Sequence, residues 1–153
     1  MTRLELADAA ATERLGCALA KAFRLHKGLV IYLHGDLGAG KTTLARGLLR
    51  ALGVSGTIRS PTYTLLEPYQ IGAQTLVHLD FFRLRNPREI ENLGLWDYPP
   101  AQTWWLLEWP ERGAGQLPPA DVQLHLRHAG ASRVAEVESS FHEDLQAACK
   151  VLL

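Results

Sequence analysis

The chain has 153 residues, of which 47% are hydrophobic and 21% charged, and 16 Lys plus Arg balance 16 Asp plus Glu. That length and mix fit one globular domain over residues 1–153, large enough to bury a core without disulfides or a structural metal. A zero formal net charge argues against unaided grip on nucleic acid, so any RNA is expected to be held through a partner. Cys17 and Cys149 lie near opposite ends in helical stretches with no Cys-x-x-Cys, which fits a reducing compartment. The start, Met1 to Asp8, carries acids and lacks the apolar core of a secretory leader. No apolar run approaches the roughly 20 residues that span a bilayer, so a cytoplasmic protein without a membrane partner is expected.

In chain order, Leu4-Glu5-Leu6 alternates and predicts a short edge strand. Asp8 is placed to N-cap a helix with Leu15, Ala18, Leu19, Ala22 and Phe23 on one stripe, broken by Gly28. Leu29 to Leu33 is short, apolar and rich in β-formers, and predicts a buried strand. Gly35 to Gly40 predicts a loop. Leu44, Leu48, Ala51 and Leu52 then form the apolar face of a helix from Lys41 to about Leu52, stopped by Gly53. Thr62 to Tyr69 and Thr75 to Asp80 predict a hairpin turning around Ile71-Gly72-Ala73. Pro87 opens a short helix through Leu93, closed by Gly94. Thr103 to Trp109 predicts a further buried strand, followed by a Gly/Pro loop from Pro110 to Pro119. Val122 to Leu126 and Arg133 to Ser139 predict a hairpin around Gly130. Phe141, Leu145, Ala148, Cys149 and Leu152 mark a final helix.

Gly35-Asp36-Leu37-Gly38-Ala39-Gly40-Lys41-Thr42 matches G-x-x-x-x-G-K-[ST] at every fixed position. A triphosphate needs several N–H donors aimed into one concavity, and glycines let the backbone approach it. The loop feeds a helix N-terminus, whose free N–H groups and dipole favour anions. Lys41 supplies a cation for the β/γ-phosphates, and the Thr42 hydroxyl a hard oxygen for Mg²⁺. Such a match arises by chance in about one chain of this length in several hundred, before its strand–loop–helix context is counted. The motif makes Asp36 to Thr43 the expected nucleotide-binding stretch, with ATP or ADP and Mg²⁺ as ligands. The fold expected around it is α/β: a P-loop NTPase-like three-layer sandwich whose central mixed sheet is flanked by helices, the two hairpins adding antiparallel pairs to a parallel core.

A P-loop site needs a carboxylate for the metal at the end of a neighbouring apolar strand. Asp80 ends Thr75 to Leu79, and Glu108 ends Trp104 to Leu107. Ligands in such sheets bind at the carboxyl ends of strands, so both acids are placed to converge on the loop. Ser60-Pro61-Thr62-Tyr63 offers hydroxyls suited to a switch-like contact with a γ-phosphate, or alternatively a proline-initiated strand entry. Arg83, Arg85 and Arg88 read as a solvated face. His125 and His128, three apart on a strand, point to opposite faces and make a poor metal pair. The remaining histidines lack ligand spacing. Trp104 and Trp105 read as core, whereas Trp109 directly follows a candidate metal acid.

Four ordered segments carry a resemblance: Gly35 to Thr43, Ser60-Pro61-Thr62-Tyr63-Thr64-Leu65, His78-Leu79-Asp80-Phe81-Phe82-Arg83-Leu84, and Leu106-Leu107-Glu108-Trp109-Pro110-Glu111-Arg112-Gly113. Together they resemble the TsaE (formerly YjeE) family of P-loop ATPases, which acts in bacterial threonylcarbamoyladenosine modification of tRNA. The resemblance implies an ATPase, weak alone, that works with TsaB and TsaD. TsaD transfers threonylcarbamoyl to adenosine 37 of ANN-decoding tRNAs, so tRNA is reached indirectly. It implies that Lys41, Asp80 and Glu108 are catalytic and that Thr42 and Glu108 hold Mg²⁺. It also places Thr12 and Arg133 near the nucleotide. One departure is Phe82, where the family often carries Tyr.

A small-molecule P-loop kinase is the alternative. The chain is short for an arginine-rich lid and an acceptor pocket, and Gly113 to Pro119, with Arg112 at its entrance, is the one lid-like loop. A GTP-driven switch lacks its Asn-Lys-x-Asp element: the asparagines are Asn86 and Asn92, and neither precedes a lysine. A nucleotide-gated binding module with negligible catalysis shades into the ATPase reading.

Overall fold

The computed structural model describes residues 1–152. Leu29–His34 (β2), Gln74–Asp80 (β4) and Thr103–Glu108 (β5) are buried over most of their length and apolar through their centres, broken only by His78 in β4, as suits strands covered on both faces. β2 pairs in parallel with β5, and β5 with β4. Val122–Ala129 (β6) lies parallel to the other side of β2. Each end of this parallel core carries antiparallel strands. Leu66–Ile71 (β3) pairs with β4, Ser132–Ser139 (β7) with β6, and the N-terminal Thr2–Leu6 (β1) with β7 at the far edge. The order β1-β7-β6-β2-β5-β4-β3 is the expected mixed sheet.

Three α-helices cover one face of this sheet: Ala9–Ala22 (α1), Lys41–Ala51 (α2) and His142–Lys150 (α3). Asp8 caps α1, its carboxylate accepting from the Ala11 N–H at 2.8 Å. Leu44, Leu48 and Leu49 of α2 are fully buried against Leu15 and Leu19 of α1 and the strand residues Ile31 and Leu106. Each such side chain contributes about 1.5–3 kcal/mol. α1 and α2 cross at Gly16 and Gly47. A Cβ on Gly16 would lie 2.1 Å from the Leu44 carbonyl oxygen, and one on Gly47 2.1 Å from that of Glu13. The missing side chains let the backbones touch, which seats the N-terminus of α2 close to the sheet.

The opposite face is covered over β2, β5 and β4 by 3₁₀ segments, Pro87–Leu93, Leu95–Asp97 and Pro110–Gly113, rather than by α-helices. Ile90 and Leu95 pack there with Val30, Val77, Leu79, Phe81, Trp105 and Leu107. Strand ends differ from the sequence expectation by one to four residues, and two of the differences shape the site. The hairpin strand starts at Leu66, not Thr62: the Leu65 carbonyl still accepts the Asp80 N–H at 3.0 Å, but Asp80 is the last residue of β4, so residues 62–64 have no ladder to join. They coil instead, with the Leu65 N–H donating to the Pro61 carbonyl at 2.8 Å. β5 ends at Glu108, and Trp109 turns out of the strand with φ 59°. Among the described residues no helix is long and apolar enough to cross a membrane.

Candidate active site

Because β2, β4 and β5 are parallel, their carboxyl ends lie along one edge of the sheet. Register places Glu108 opposite Leu33 on one side and Asp80 on the other. The glycine-rich loop leaves β2 directly after His34, so loop and acids meet there. Gly40, with φ 112°, turns the chain into α2 while its α-carbon faces the buried Thr12 of α1: a Cβ there would sit 3.4 Å from the Thr12 methyl. Leu37, Gly38, Gly40, Lys41, Thr42 and Thr43 form one wall of a cavity of about 300 Å³; Ser60, Thr62, Asp80, Glu108 and Trp109, with Phe82, form the other.

The remaining sequence candidates do not line this cavity. Ala39 is buried beneath the loop, and its N–H donates to the Asp36 carbonyl at 3.1 Å. Thr12 backs Gly40. Arg133 reaches the loop from outside, donating to the Gly38 carbonyl at 3.2 Å. Pro61 accepts the bond that coils the following turn. Tyr63 points outward, 80% exposed, with its ring under the Arg83 guanidinium at 4.2 Å.

Lys41 is buried. Its ammonium donates to the carbonyls of Gly35 at 2.5 Å and Asp36 at 2.9 Å, and lies 4.4 Å from the Trp109 ring centre. Burial lowers its pKa, against the opposing pull of Glu108, Asp80, Glu111 and Asp36. Trp109 and Leu65 are the non-glycine residues with positive φ among those described, at 59° and 68°. Both flank the acid pair, and such backbone costs about 1–3 kcal/mol each. The strain has visible returns. Trp109 lays its ring over Lys41 and against Phe82, 5.1 Å away, and the Leu65 carbonyl accepts the Asp80 N–H at 3.0 Å.

The acids are buried, Asp80 at 4% and Glu108 at 2% exposure, and ringed by donors. Glu108 Oε1 accepts from the Thr42 hydroxyl at 3.1 Å, and its Oε2 lies 2.8 Å from Ser60 Oγ and 2.7 Å from His78 Nε2. Asp80 Oδ2 lies 2.6 Å from Ser60 Oγ and accepts from the Thr62 hydroxyl at 3.0 Å, while Oδ1 accepts the Phe82 N–H at 2.9 Å. Burial alone would raise the Glu108 pKa. The hydrogen bond from His78, with those from the hydroxyls of Ser60 and Thr42, outweighs it and holds the carboxyl below its ordinary range. Ser60 and Thr62 thus belong to the acid pair and not to a strand.

His78 went unrecognised in the sequence, where it lacks ligand spacing. A readable signal existed: it is the one ionisable residue inside the apolar run Leu76-Val77-His78-Leu79, and alternation puts it on the same face as Asp80. The lid-like loop is tied down. Gly113 is buried, and the Tyr32 hydroxyl donates to the Pro118 carbonyl. Phe82 leaves only an apolar edge where a tyrosine would offer a hydroxyl.

Comparison with known proteins gives the family and bears out the fold. The family model described as "Threonylcarbamoyl adenosine biosynthesis protein TsaE" matches residues 6–135. The tRNA threonylcarbamoyladenosine biosynthesis protein TsaE of Haemophilus influenzae is 44% identical over 116 residues, covering 74% of this chain and 73% of that one. Those of Synechocystis and Bacillus subtilis are 46% identical over 119 residues and 38% over 120, covering 74% and 78% of this chain and 72% of each relative. The crystal structure of Bacillus subtilis YdiB superposes with a TM-score of 0.77 at 28% identity, covering 99% of this chain and 93% of that one. With this agreement in sequence and fold, the chain belongs to the TsaE family of tRNA threonylcarbamoyladenosine biosynthesis proteins.

Proposed function

We propose that this chain binds ATP on the Gly35–Thr43 loop and hydrolyses it with Mg²⁺. By this reading its ATPase sustains turnover of a TsaB–TsaD complex that modifies adenosine 37 of ANN-decoding tRNAs. The observation that carries the proposal is the direct 3.1 Å hydrogen bond between Thr42, first turn of the loop's helix, and Glu108, a carboxylate delivered by the adjacent strand. Two carboxylates and the hydroxyls of Thr42, Ser60 and Thr62 converge with no sulfur among them. An all-oxygen set of this kind suits Mg²⁺. Thr42 and Glu108 are the residues that would hold it. The bound ion would neutralise phosphate charge and fix the γ-phosphate in place.

The chain's own groups do the rest. The N–H groups of the loop and of the start of α2 donate to the phosphate oxygens. Lys41 exchanges the carbonyls of Gly35 and Asp36 for phosphate oxygens, a stronger charge-assisted contact. Asp80, bonded to Phe82 N–H and Thr62 and not to Thr42, is the carboxylate left to orient the attacking water. Trp109 and Phe82 close an apolar rim that limits water access to Lys41.

The test is phosphate release from ATP and from GTP, with and without Mg²⁺, by the purified chain alone and with TsaB and TsaD. Slow Mg²⁺-dependent ATP hydrolysis that the partners accelerate is expected, with ATP favoured over GTP. No hydrolysis in their presence, or tighter binding of GTP than ATP, overturns the proposal.

A further inference from the structure

Glu108 is useful as a metal ligand only if its carboxylate is held in one orientation with its charge intact, and the hydroxyls around it do not secure that. Ser60 carries a single proton and sits between two carboxylates, 2.6 Å from Asp80 and 2.8 Å from Glu108, so it donates to one at a time. Thr42 would turn its lone pairs towards the ion. The donor that neither faces the metal nor is shared is His78. Its ring is fully buried, two residues behind the position opposite Glu108 on the neighbouring strand, and Nε2 lies 2.7 Å from Oε2. An ionised carboxylate only accepts, so Nε2 carries the proton. Nδ1 has no partner among the described residues. A buried orphan nitrogen is costly, and leucine or methionine would fill the space without it. The ring's return is the bond to Glu108, which fixes Oε2 and leaves Oε1 on the Thr42 side.

We infer that His78 is a positioning residue: its Nε2–H pins the Glu108 carboxylate so that Oε1 meets the nucleotide-bound Mg²⁺ together with Thr42. This inference rests on the ATP–Mg²⁺ reading above. Groups that hydrogen-bond a ligating carboxylate typically set metal affinity by roughly 10–100-fold.

Two measurements test it. The first is calorimetric titration of ADP with and without Mg²⁺, the ratio of the two affinities being the readout, alongside thermal melts. His78→Leu should lower that ratio roughly 10-fold or more while metal-free ADP affinity stays at the wild-type level. His78→Gln, whose amide N–H reaches about as far as Nε2, should restore the ratio to within about threefold. A wild-type ratio in His78→Leu overturns the inference alone. Equal loss in both variants also overturns it, because packing and not the donor would then be the cause. Wild-type protein that binds no nucleotide overturns the ATP–Mg²⁺ reading and this inference with it. The second measurement needs no variant at His78: nitrogen-15 spectra of the imidazole in the wild-type chain and in Glu108→Gln. A single Nε2-protonated tautomer that Glu108→Gln perturbs supports the contact, and a Nδ1-protonated tautomer in the wild type refutes it.

Discussion

Replacing Glu108 with glutamine keeps the side-chain shape and removes the charge, and the surrounding donors make the outcome calculable. Oε1 accepts from Thr42 at 3.1 Å, and Oε2 faces His78 at 2.7 Å and Ser60 at 2.8 Å. Glutamine has one acceptor and one donor end, so it cannot serve both sides. With its oxygen towards His78 and Ser60, the amide nitrogen faces Thr42 and the metal position, where a donor is useless. With its oxygen towards Thr42, the amide N–H groups meet the Nε2–H, and the ring must shift its proton to Nδ1, which has no acceptor among the described residues. Leaving that buried donor unsatisfied costs about 1–3 kcal/mol. For a chain of this size that corresponds to roughly 2–4 °C of melting temperature per kcal/mol. Mg²⁺-dependent hydrolysis should fall by about 10²–10³-fold, the usual effect of deleting one preorganised electrostatic group. Metal-free ATP binding should hold or tighten, because the carboxylate repels phosphate. The stability gap to the wild type depends on pH. The folded Glu108 pKa lies below the ordinary 4.5, so the unfolded chain binds more protons between the two values. The carboxylate's contribution is therefore complete above about 4.5 and is lost as pH falls through the folded value, and the gap should close below pH 4.5. Steady-state hydrolysis, calorimetry and melts from pH 7 to 3.5 read all of this. Normal hydrolysis in Glu108→Gln, with Asp80→Asn losing all Mg²⁺ dependence, would show that the roles of the two acids are reversed.

Lys41→Ala should abolish productive ATP binding or hydrolysis, yet cost only about 1 kcal/mol of stability, since the lost bonds to Gly35 and Asp36 are offset by the relieved burial of an ammonium; calorimetry and a melt check both. Gly47→Ala should destabilise the chain by about 1–3 kcal/mol in spite of its better helix propensity, because the new methyl meets the Glu13 carbonyl and pushes α1 from α2; an unchanged melting temperature would contradict the close crossing. His34, stacked on His125 at 4.2 Å, has a pKa lowered first by burial, then by His125, against the raising effect of Gln123 and Glu111. Its unfolded form binds more protons below 6.5, so stability should decline as pH falls through 6.5, and His34→Gln should flatten that decline in melts between pH 7.5 and 5.5.

The glycine-rich loop was legible in the sequence because its pattern is local: Gly35, Gly40, Lys41 and Thr42 fall within eight consecutive residues, and spacing alone defines them. The strands Leu29–His34 and Thr103–Glu108 were legible for a similar reason, since burial on both faces leaves an unbroken apolar run. Gly72 and Gly130, at the two hairpin turns, have positive φ of 61° and 65°, which marks both hairpins locally. The sequence also offered Asp80 and Glu108 as strand-end acids, but no local rule says that β5 lies between β2 and β4. That order and its register make the two acids neighbours and bring Glu108 to Thr42, 66 residues away. His78 gained its meaning the same way, through a pairing 30 residues long that converts a core-like position into the support of a carboxylate. Residues 62–64 left the expected strand because β4 ends at Asp80, opposite Leu65, and the hydroxyls of Ser60 and Thr62 found the buried acids instead. Local propensity and periodicity act over a few residues and fix the elements, whereas strand order and register are collective properties of the packed sheet, and the acid cluster exists only where that packing sets three strand ends side by side.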